Sequence, residues 1–501
     1  MLLKSYNFSV NDMDIKIGKF TLETLTTGMY DSPKDIYREY IQNAADSIDN
    51  AIAEGILKKS NGRIDILIDK KARTIEIDDN GTGINTSNVA GFLLNIGDSV
   101  KLNSVNRGFR GIGRLAGLAY CSELTFTTSS YGEDAKSIVV FDAEKLRASL
   151  YSQNSTDSLE EIFTSIISIK KEREVKGAHY FKVFLSGVND IDNILDDKEV
   201  NNYLSQVAPV PFSPSFKWKD IIKSKISYRG FCISEYNIFL KGESISCQVF
   251  KNYKDIFISD RVRKAEDSIK DIEEIVFSNN DSPLAILWVA KTDYSGTVQD
   301  TLIKGIRLRK GNIQLGGSSV LNSIFRDSRF NGWLIGELHL ISPEFIPNAR
   351  RDNIEKTKAY YDLQAKLIEW ADKVSSEIRK VSISRNSDKG NKRIEELIDV
   401  VSRDATQDVK VEILSENAIE QKQEYDDVAH TELINQLDIL INQKSFCTKY
   451  KALNLQAELT VEEKKILEKI FDIIKEKEPT KADKLISAII KEYRMKELLR
   501  K

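Results

Sequence analysis

Apolar residues recur at helical spacing through "DIYREYIQNAADSIDNA", where Ile36, Tyr40, Ala44 and Ile48 share one face. The spacing predicts a helix over 33–57, stopped at Gly55, that buries this side. Glu39, Asn43 and Asp46 stand at offsets of four and seven, which brings them within about 40° of one another on a second face. One side packs and the other presents oxygens. In the next stretch Ile64, Ile66 and Ile68 alternate with polar residues, a polar turn follows, and Ile75 and Ile77 alternate again. That is the period-two signature of an antiparallel hairpin, and its second strand runs straight into Asp79. A glycine-punctuated polar segment, "NIGDSVKLNSVNRGFRGIG", then leads to an apolar helix start, "RLAGLAY", and a strand, "ELTFTTSS". The order helix, hairpin, loop, helix, strand predicts an α+β sandwich with helices on one face of a mostly antiparallel sheet.

From about residue 180 the pattern changes to short strands with intervening helices. "KISYRGFCISEYNIFL", "PLAILWVAKT" and "GIRLRKGNIQL" are the clearest strand candidates, and "VAPVPFSP" is a rigid connector before them. Residues 354 to 382 read as a long amphipathic helix with Leu367, Ile368, Ala371, Val374 and Ile378 on one stripe. "SRNSDKGNK", 384 to 392, is the best linker candidate, and two helices close the chain, with capping-box spacing or nearly so at Thr460/Glu463 and Thr480/Asp483. The predicted organisation is an α+β domain over 1–190, an α/β domain over 191–355, a connecting helix over 356–383, a charged linker over 384–429 and a helical domain over 430–501.

Composition fits this picture and narrows it. A chain of 501 residues exceeds the roughly 250–300 that one core serves, so several domains are expected. With 41% hydrophobic and 30% charged residues and 8 prolines, it reads as an ordered, soluble protein. The net charge of -3, from 73 basic and 76 acidic residues, gives no overall bias toward nucleic acid or membrane. Cys121, Cys232, Cys247 and Cys447 are scattered singly and read as reduced, buried thiols, and His179, His339 and His430 are equally dispersed. Zinc, redox and histidine-relay chemistry therefore have little to build on. The first ten residues lack an apolar signal core, and no run approaches the roughly 18 apolar residues of a membrane span, which predicts a cytoplasmic protein.

Two glycine-rich stretches invite a nucleotide reading of the wrong kind. "GNIQLGGSS" nears the P-loop spacing but has Gly317 where the essential lysine belongs. "GIGRLA" fits a loose dinucleotide fingerprint, yet the polar, basic "NSVNRGFR" precedes it instead of a buried strand. The three segments taken together point elsewhere. "EYIQNAAD", "DDNGTGI" and "GFRGIG" occur in order within about 75 residues, and they resemble the three motifs of the GHKL ATPases, the group of gyrase, heat-shock chaperone, histidine kinase and mismatch-repair ATPase domains. The wording of "MYDSPKDIYREYIQNAADSID" and "IPNARRDN" is most similar to bacterial chaperone-like and microrchidia-like members. The resemblance covers roughly residues 15 to 355 and implies a Bergerat-type ATPase sandwich followed by a transducer-like α/β domain.

That resemblance assigns roles which elementary chemistry makes sensible. Asn43 would be the magnesium ligand, because this hard cation takes oxygens and keeps its phosphates and waters. Glu39, one turn earlier, would orient and deprotonate the attacking water. Asp46 belongs to the pocket, either ordering its floor by hydrogen bonds or capping the helix. Asp79 ends an apolar strand, where a buried carboxylate needs a donor; the adenine amine is that donor in the family, although beside Asn80-Gly81 a turn aspartate is the alternative. Gly81 and Gly83 let the backbone approach the base. Gly97, Ser99 and Lys101 resemble the start of the family's lid. Gly108, Gly111, Ile112 and Gly113 would turn amides toward the phosphates, with Arg107, Arg110 and Arg114 adding positive charge. "EFIPNARRDNIE" resembles the loop that inserts an arginine toward the terminal phosphate, with Arg351 at the matching place, Arg350 beside it and Asn348 before it; Lys310 competes for that role. The implied activity is Mg-ATP hydrolysis by a dimerising conformational switch that acts on a protein client or partner through its C-terminal helices. An ATP-gated clamp on duplex DNA and a scaffold with incidental turnover are the alternatives. No phosphoacceptor-histidine helix, topoisomerase tyrosine domain or metal-binding endonuclease tail is recognisable, which argues against kinase and nicking activities.

Overall fold

A computed structural model describes residues 30, 32–94, 113–151, 159–260, 262, 264–279, 282–348 and 350–404, with side chains as far as Arg385. The chain divides into two compact units, Met1–Ser375 and Ser376–Lys501. The first unit holds two mixed sheets.

The predicted N-terminal helix is α1, Asp35–Ala53, and the chain leaves it through Gly55 at φ 73°, a left-handed conformation that glycine adopts at little cost. Ile36, Tyr40, Ala44 and Ile48 are all buried on the face expected of them. The hairpin follows as β1, Arg63–Asp69, and β2, Thr74–Asp79, paired antiparallel with Ile66 opposite Ile77. A short α2, Val89–Leu94, precedes a 3₁₀ segment at Gly113–Ala119. Next come β3, Glu123–Ser129; β4, Ala135–Asp142; α3, Ala143–Tyr151; α4, Leu159–Ile166; β5, Ile167–Arg173; and β6, Tyr180–Ser186. Helices α5, Asp197–Val207, and α6, Lys219–Tyr228, lead to β7, Asn237–Lys241, and β8, Ser246–Gln248. The first sheet runs β5-β4-β3-β6-β2-β1-β7-β8, antiparallel throughout except for the parallel pair β1 and β7. The α+β class is as expected, with α1 packed on β1 and β2.

Two departures from the sequence pattern concern this sheet. It reaches Gln248, past the boundary at residue 190, because β7 pairs in parallel with a strand some 170 positions earlier, and no local periodicity registers such pairing. "KISYRGFCISEYNIFL" is also not one strand: its first four residues finish α6, and only Asn237–Lys241 is extended.

Beyond a small hairpin, β9 (Ile256–Ser259) with β10 (Ala265–Ser268), the second sheet contains β11, Asp271–Asn279; β12, Ser282–Lys291; β13, Gly305–Lys310; β14, Ile313–Leu315; and β15, Ile335–Leu340. Its order is β11-β12-β15-β13-β14. Helix α7 spans Lys358–Asp404 and buries Leu363, Leu367, Ala371 and Val374. Ile368 lies one residue off that row and is 39% exposed, so it is not part of the stripe. The helix also continues through 384–392, the polar run whose composition suggests a linker. Of the cysteines, Cys121 is buried, but Cys232 and Cys247 are exposed, against expectation; Cys447 and the predicted C-terminal helices lie outside the described residues. No helix among the described residues is long and apolar enough to cross a membrane.

Candidate functional site

The site is built on the polar face of α1. Glu39 is buried there, Asn43 is half-buried one turn on, and Asp46 is buried, as the spacing requires. The 3₁₀ segment lies against this face. A Cβ added to Gly113 would stand 2.2 Å from Glu39 Oε2, so any larger residue there would have to displace the Glu39 carboxylate. Four residues on, the Gly117 amide donates to Tyr40 Oη at 3.0 Å and fixes the segment to α1.

At the other end of the site, β2 delivers Asp79. Its Oδ1 accepts the Gly81 amide at 2.9 Å, and Ser47, from the next turn of α1, adds a side-chain hydrogen bond. Burial nevertheless raises this carboxyl to about 8, since both donors together do not replace water. A Cβ on Gly81 would meet Ser47 Oγ at 2.0 Å, and one on Gly83, at φ 63°, would meet the Ser129 carbonyl oxygen at 1.9 Å. Both glycines are thus fixed by close approach of chain to chain. Thr128 accepts the Ile84 amide at 2.8 Å, and His179 Nδ1 lies 2.8 Å from the Gly81 carbonyl oxygen. Ser47, Thr128 and His179 were not singled out by the sequence. Ser47 is one turn beyond Asn43 and could have been found by helical spacing; Thr128 arrives from β3 and His179 from just before β6, and neither carries a local signal.

The second sheet supplies the remaining side chain. After β15 a narrow loop is closed by the Glu355 amide donating to the Ile346 carbonyl at 2.8 Å and by the Asn348 amide donating to the Asn353 carbonyl at 3.0 Å. Asn348 Nδ2 also donates to Asp352 Oδ1 at 2.5 Å. Just beyond β14, the Gly316 amide donates to the Arg351 carbonyl at 3.0 Å, which ties the loop to the sheet. Arg351 itself has φ 56°, a strained conformation for a residue with a Cβ. Its Nε lies 2.9 Å from Glu39 Oε1, and its Nη1 donates to Gln42 Oε1. Arg38 joins the same junction: Nη2 donates to the Arg350 carbonyl at 3.2 Å, and Nη1 stands 3.3 Å from Asp35 Oδ1.

The fold therefore gathers Glu39, Asn43, Asp46 and Gly113 on one side, Asp79, Gly81 and Gly83 on the other, and Arg351 onto Glu39. Lys310, at the end of β13, donates to the Ser342 carbonyl at 2.7 Å, and burial lowers it to about 8. Arg114 is buried with its guanidinium 5.1 Å from the Phe92 ring centre, and desolvation lowers it to about 10. Gly97, Ser99, Lys101, Arg107, Gly108, Arg110, Gly111 and Ile112 lie outside the described residues. Among those described, no three His, Cys, Asp or Glu side chains cluster as a metal cage.

Residues 34–172 match the family model described as histidine kinase-, DNA gyrase B-, and HSP90-like ATPase. The chain carries a GHKL-type ATPase domain. Among curated proteins it is similar to the "Chaperone protein HtpG" of Rickettsia canadensis (strain McKiel), 28% identical over 182 residues that make up 32% of this chain and 28% of the relative. The "Chaperone protein HtpG" of Rickettsia akari (strain Hartford) is 26% identical over 189 residues, 33% of this chain and 29% of the relative. The matched stretch thus spans less than a third of the length of either relative.

Proposed function

We propose that the protein is a Mg-ATP-driven conformational switch: it binds and hydrolyses ATP at the α1 site and passes the nucleotide state to a protein partner. The observation that carries this reading is the meeting of Glu39, on α1, with Arg351, on the loop that follows β15, beside Gly113. In this reading Asp79 accepts the adenine amine, and Gly81 and Gly83 keep the chain clear of the base. Glu39 takes a proton from the attacking water as its oxygen bonds to the terminal phosphorus and the bond to the bridging oxygen breaks, giving ADP and phosphate. Arg351 is close enough to shift from the Glu39 carboxylate to the charge that grows on the transferred group. Lys310, engaged by Ser342, is the weaker candidate for that task.

Asn43 offers one half-buried amide oxygen rather than a cage, a donor set that suits a magnesium ion already held by phosphates. When bound, that ion would neutralise phosphate charge during transfer. Asn43 would orient it, and Asp46 would keep the α1 floor ordered. Because Arg351 couples its loop to α1, turnover should change how the two sheets sit on each other, and dimerisation through the lid would convert this into capture and release of a protein client.

Steady-state phosphate release tests the assignment. Glu39→Ala is expected to bind ATP without turning it over, and Asp79→Asn to lose binding. Normal turnover in both variants would refute the site.

A further inference from the structure

Gln42 is absent from the roles given above, although it is one of the few polar side chains with almost no exposure, 1%. It stands three residues after Glu39 on α1, so the two side chains rise side by side. The Arg351 guanidinium lies across both: Nε faces Glu39 Oε1 at 2.9 Å, and Nη1 donates to Gln42 Oε1. A guanidinium is donor-only, so only the carbonyl end of the amide can face it. The Gln42 amide is oriented that way even though its Nε2 then has no hydrogen-bond partner among the described residues. Among the described residues, the arginine is the partner that accounts for this orientation.

The neighbouring contacts show why such a grip is needed. Arg351 sits at a left-handed φ on a loop whose backbone is tied at Gly316, and Arg38 donates to the preceding carbonyl. Glu39 can hold the guanidinium by one oxygen, but a general base cannot remain a fixed anchor while it takes a proton. A neutral acceptor can.

We propose that Gln42 is a positioning residue that anchors Arg351 at the reacting edge of the nucleotide site, so that the arginine stays in place when Glu39 turns to the water. The proposal rests on the ATPase reading for its kinetic consequence, but the anchor itself is a property of the nucleotide-free chain.

The experiment compares full-length wild type, Gln42→Met, which keeps the length and removes the acceptor, and Gln42→Glu, which restores an acceptor. Hydrogen exchange without nucleotide reads the anchor through the amides of Gly316, Asn348 and Glu355, which close the Arg351 loop. Gln42→Met should speed their exchange by about tenfold while the β1 and β2 amides keep wild-type protection, and Gln42→Glu should restore slow exchange. Wild-type loop exchange in Gln42→Met overturns the proposal. Should that variant also lose protection in β1 and β2, Arg351→Met probes the same contact from the loop side, and unchanged loop exchange there overturns it equally. In turnover assays Gln42→Met should lower kcat by about tenfold, leave KM for ATP unchanged, and cost nothing further in an Arg351→Ala background. Losses that simply add would show that Gln42 does not act through Arg351. If the wild type hydrolyses no ATP, the ATPase reading fails, and the exchange comparison still decides the anchor.

Discussion

Two arginine–glutamate pairs in this protein are alike in chemistry and different in setting. Arg309 Nε lies 2.6 Å from Glu337 Oε1, with the side chains 1% and 0% exposed. Lys251 and Trp288 Nε1 donate to the other Glu337 oxygen at 2.8 and 3.2 Å, His339 Nε2 lies 3.1 Å from it, and the Tyr253 hydroxyl donates to the first at 3.2 Å. Burial alone would raise the Glu337 carboxyl, but Arg309 and Lys251 hold it well below the usual range. Arg309 also donates to the Gln206 carbonyl at 2.8 Å at the end of α5, so this cluster joins the second sheet to that helix. The Arg351–Glu39 pair is longer, 2.9 Å, less buried on the arginine side at 14%, and carried on a strained loop. A carboxylate with several fixed donors is a structural bolt, whereas one with few, beside a glycine turn, can exchange them. In the proposed mechanism the second pair exchanges partners and the first does not.

Variants can break this contrast at either end. The largest effect should come from Glu39→Ala: a loss of about 100-fold or more in kcat for phosphate release, with urea unfolding close to wild type. Glu337→Ala should do the reverse, costing about 3–5 kcal/mol of stability in urea unfolding because buried cations lose their partner. A loss of stability in Glu39→Ala as great as in Glu337→Ala would erase the distinction.

Asp79 sharpens it, since this carboxyl is buried like Glu337 but has no cation among its named partners. Its folded value of about 8 lies above the unfolded value near 4. Between the two, the folded chain keeps a proton that the unfolded chain has released, so this group's contribution to stability falls as pH rises from about 4 to about 8. Asp79→Asn should remove that slope and raise stability at pH 8 by about 2 kcal/mol in thermal or urea unfolding, while abolishing ATP binding. Because a donor amine favours the ionised carboxylate, ATP binding to the wild type below pH 8 should release a proton, detectable by titration calorimetry in buffers of different ionisation enthalpy. The smallest effect is expected for Lys310→Met, with kcat within about twofold of wild type. A larger loss would move the phosphate-sensing role from Arg351 to Lys310.

Much of this arrangement was legible in the sequence because it is local. Helical spacing alone puts Glu39, Asn43 and Asp46 on one face, and period-two alternation brings β2 to Asp79. The likeness of "IPNARRDN" to an arginine-inserting loop singled out Arg351, which the fold then brings to Glu39. What was not legible depends on contacts distant in sequence. The parallel pairing of β1 with β7, the approach of His179 and Thr128, and the Glu337 cluster each join segments whose own patterns are unremarkable. Gln42 shows the limit most clearly: it lies inside the motif that revealed the site, yet its partner is 309 positions away. The polar run at 384–392 misled for another reason, because polar composition does not by itself end a helix that begins well upstream.

The measurement closest to the central claim is the ratio of ATP to ADP affinity in wild type and Arg351→Ala, by titration calorimetry with magnesium present. If Arg351 exchanges Glu39 for the terminal phosphate, the variant should lose affinity for ATP and keep it for ADP, bringing the two together. An unchanged ratio would mean that the arginine never leaves Glu39, and that the pair is a second structural bolt.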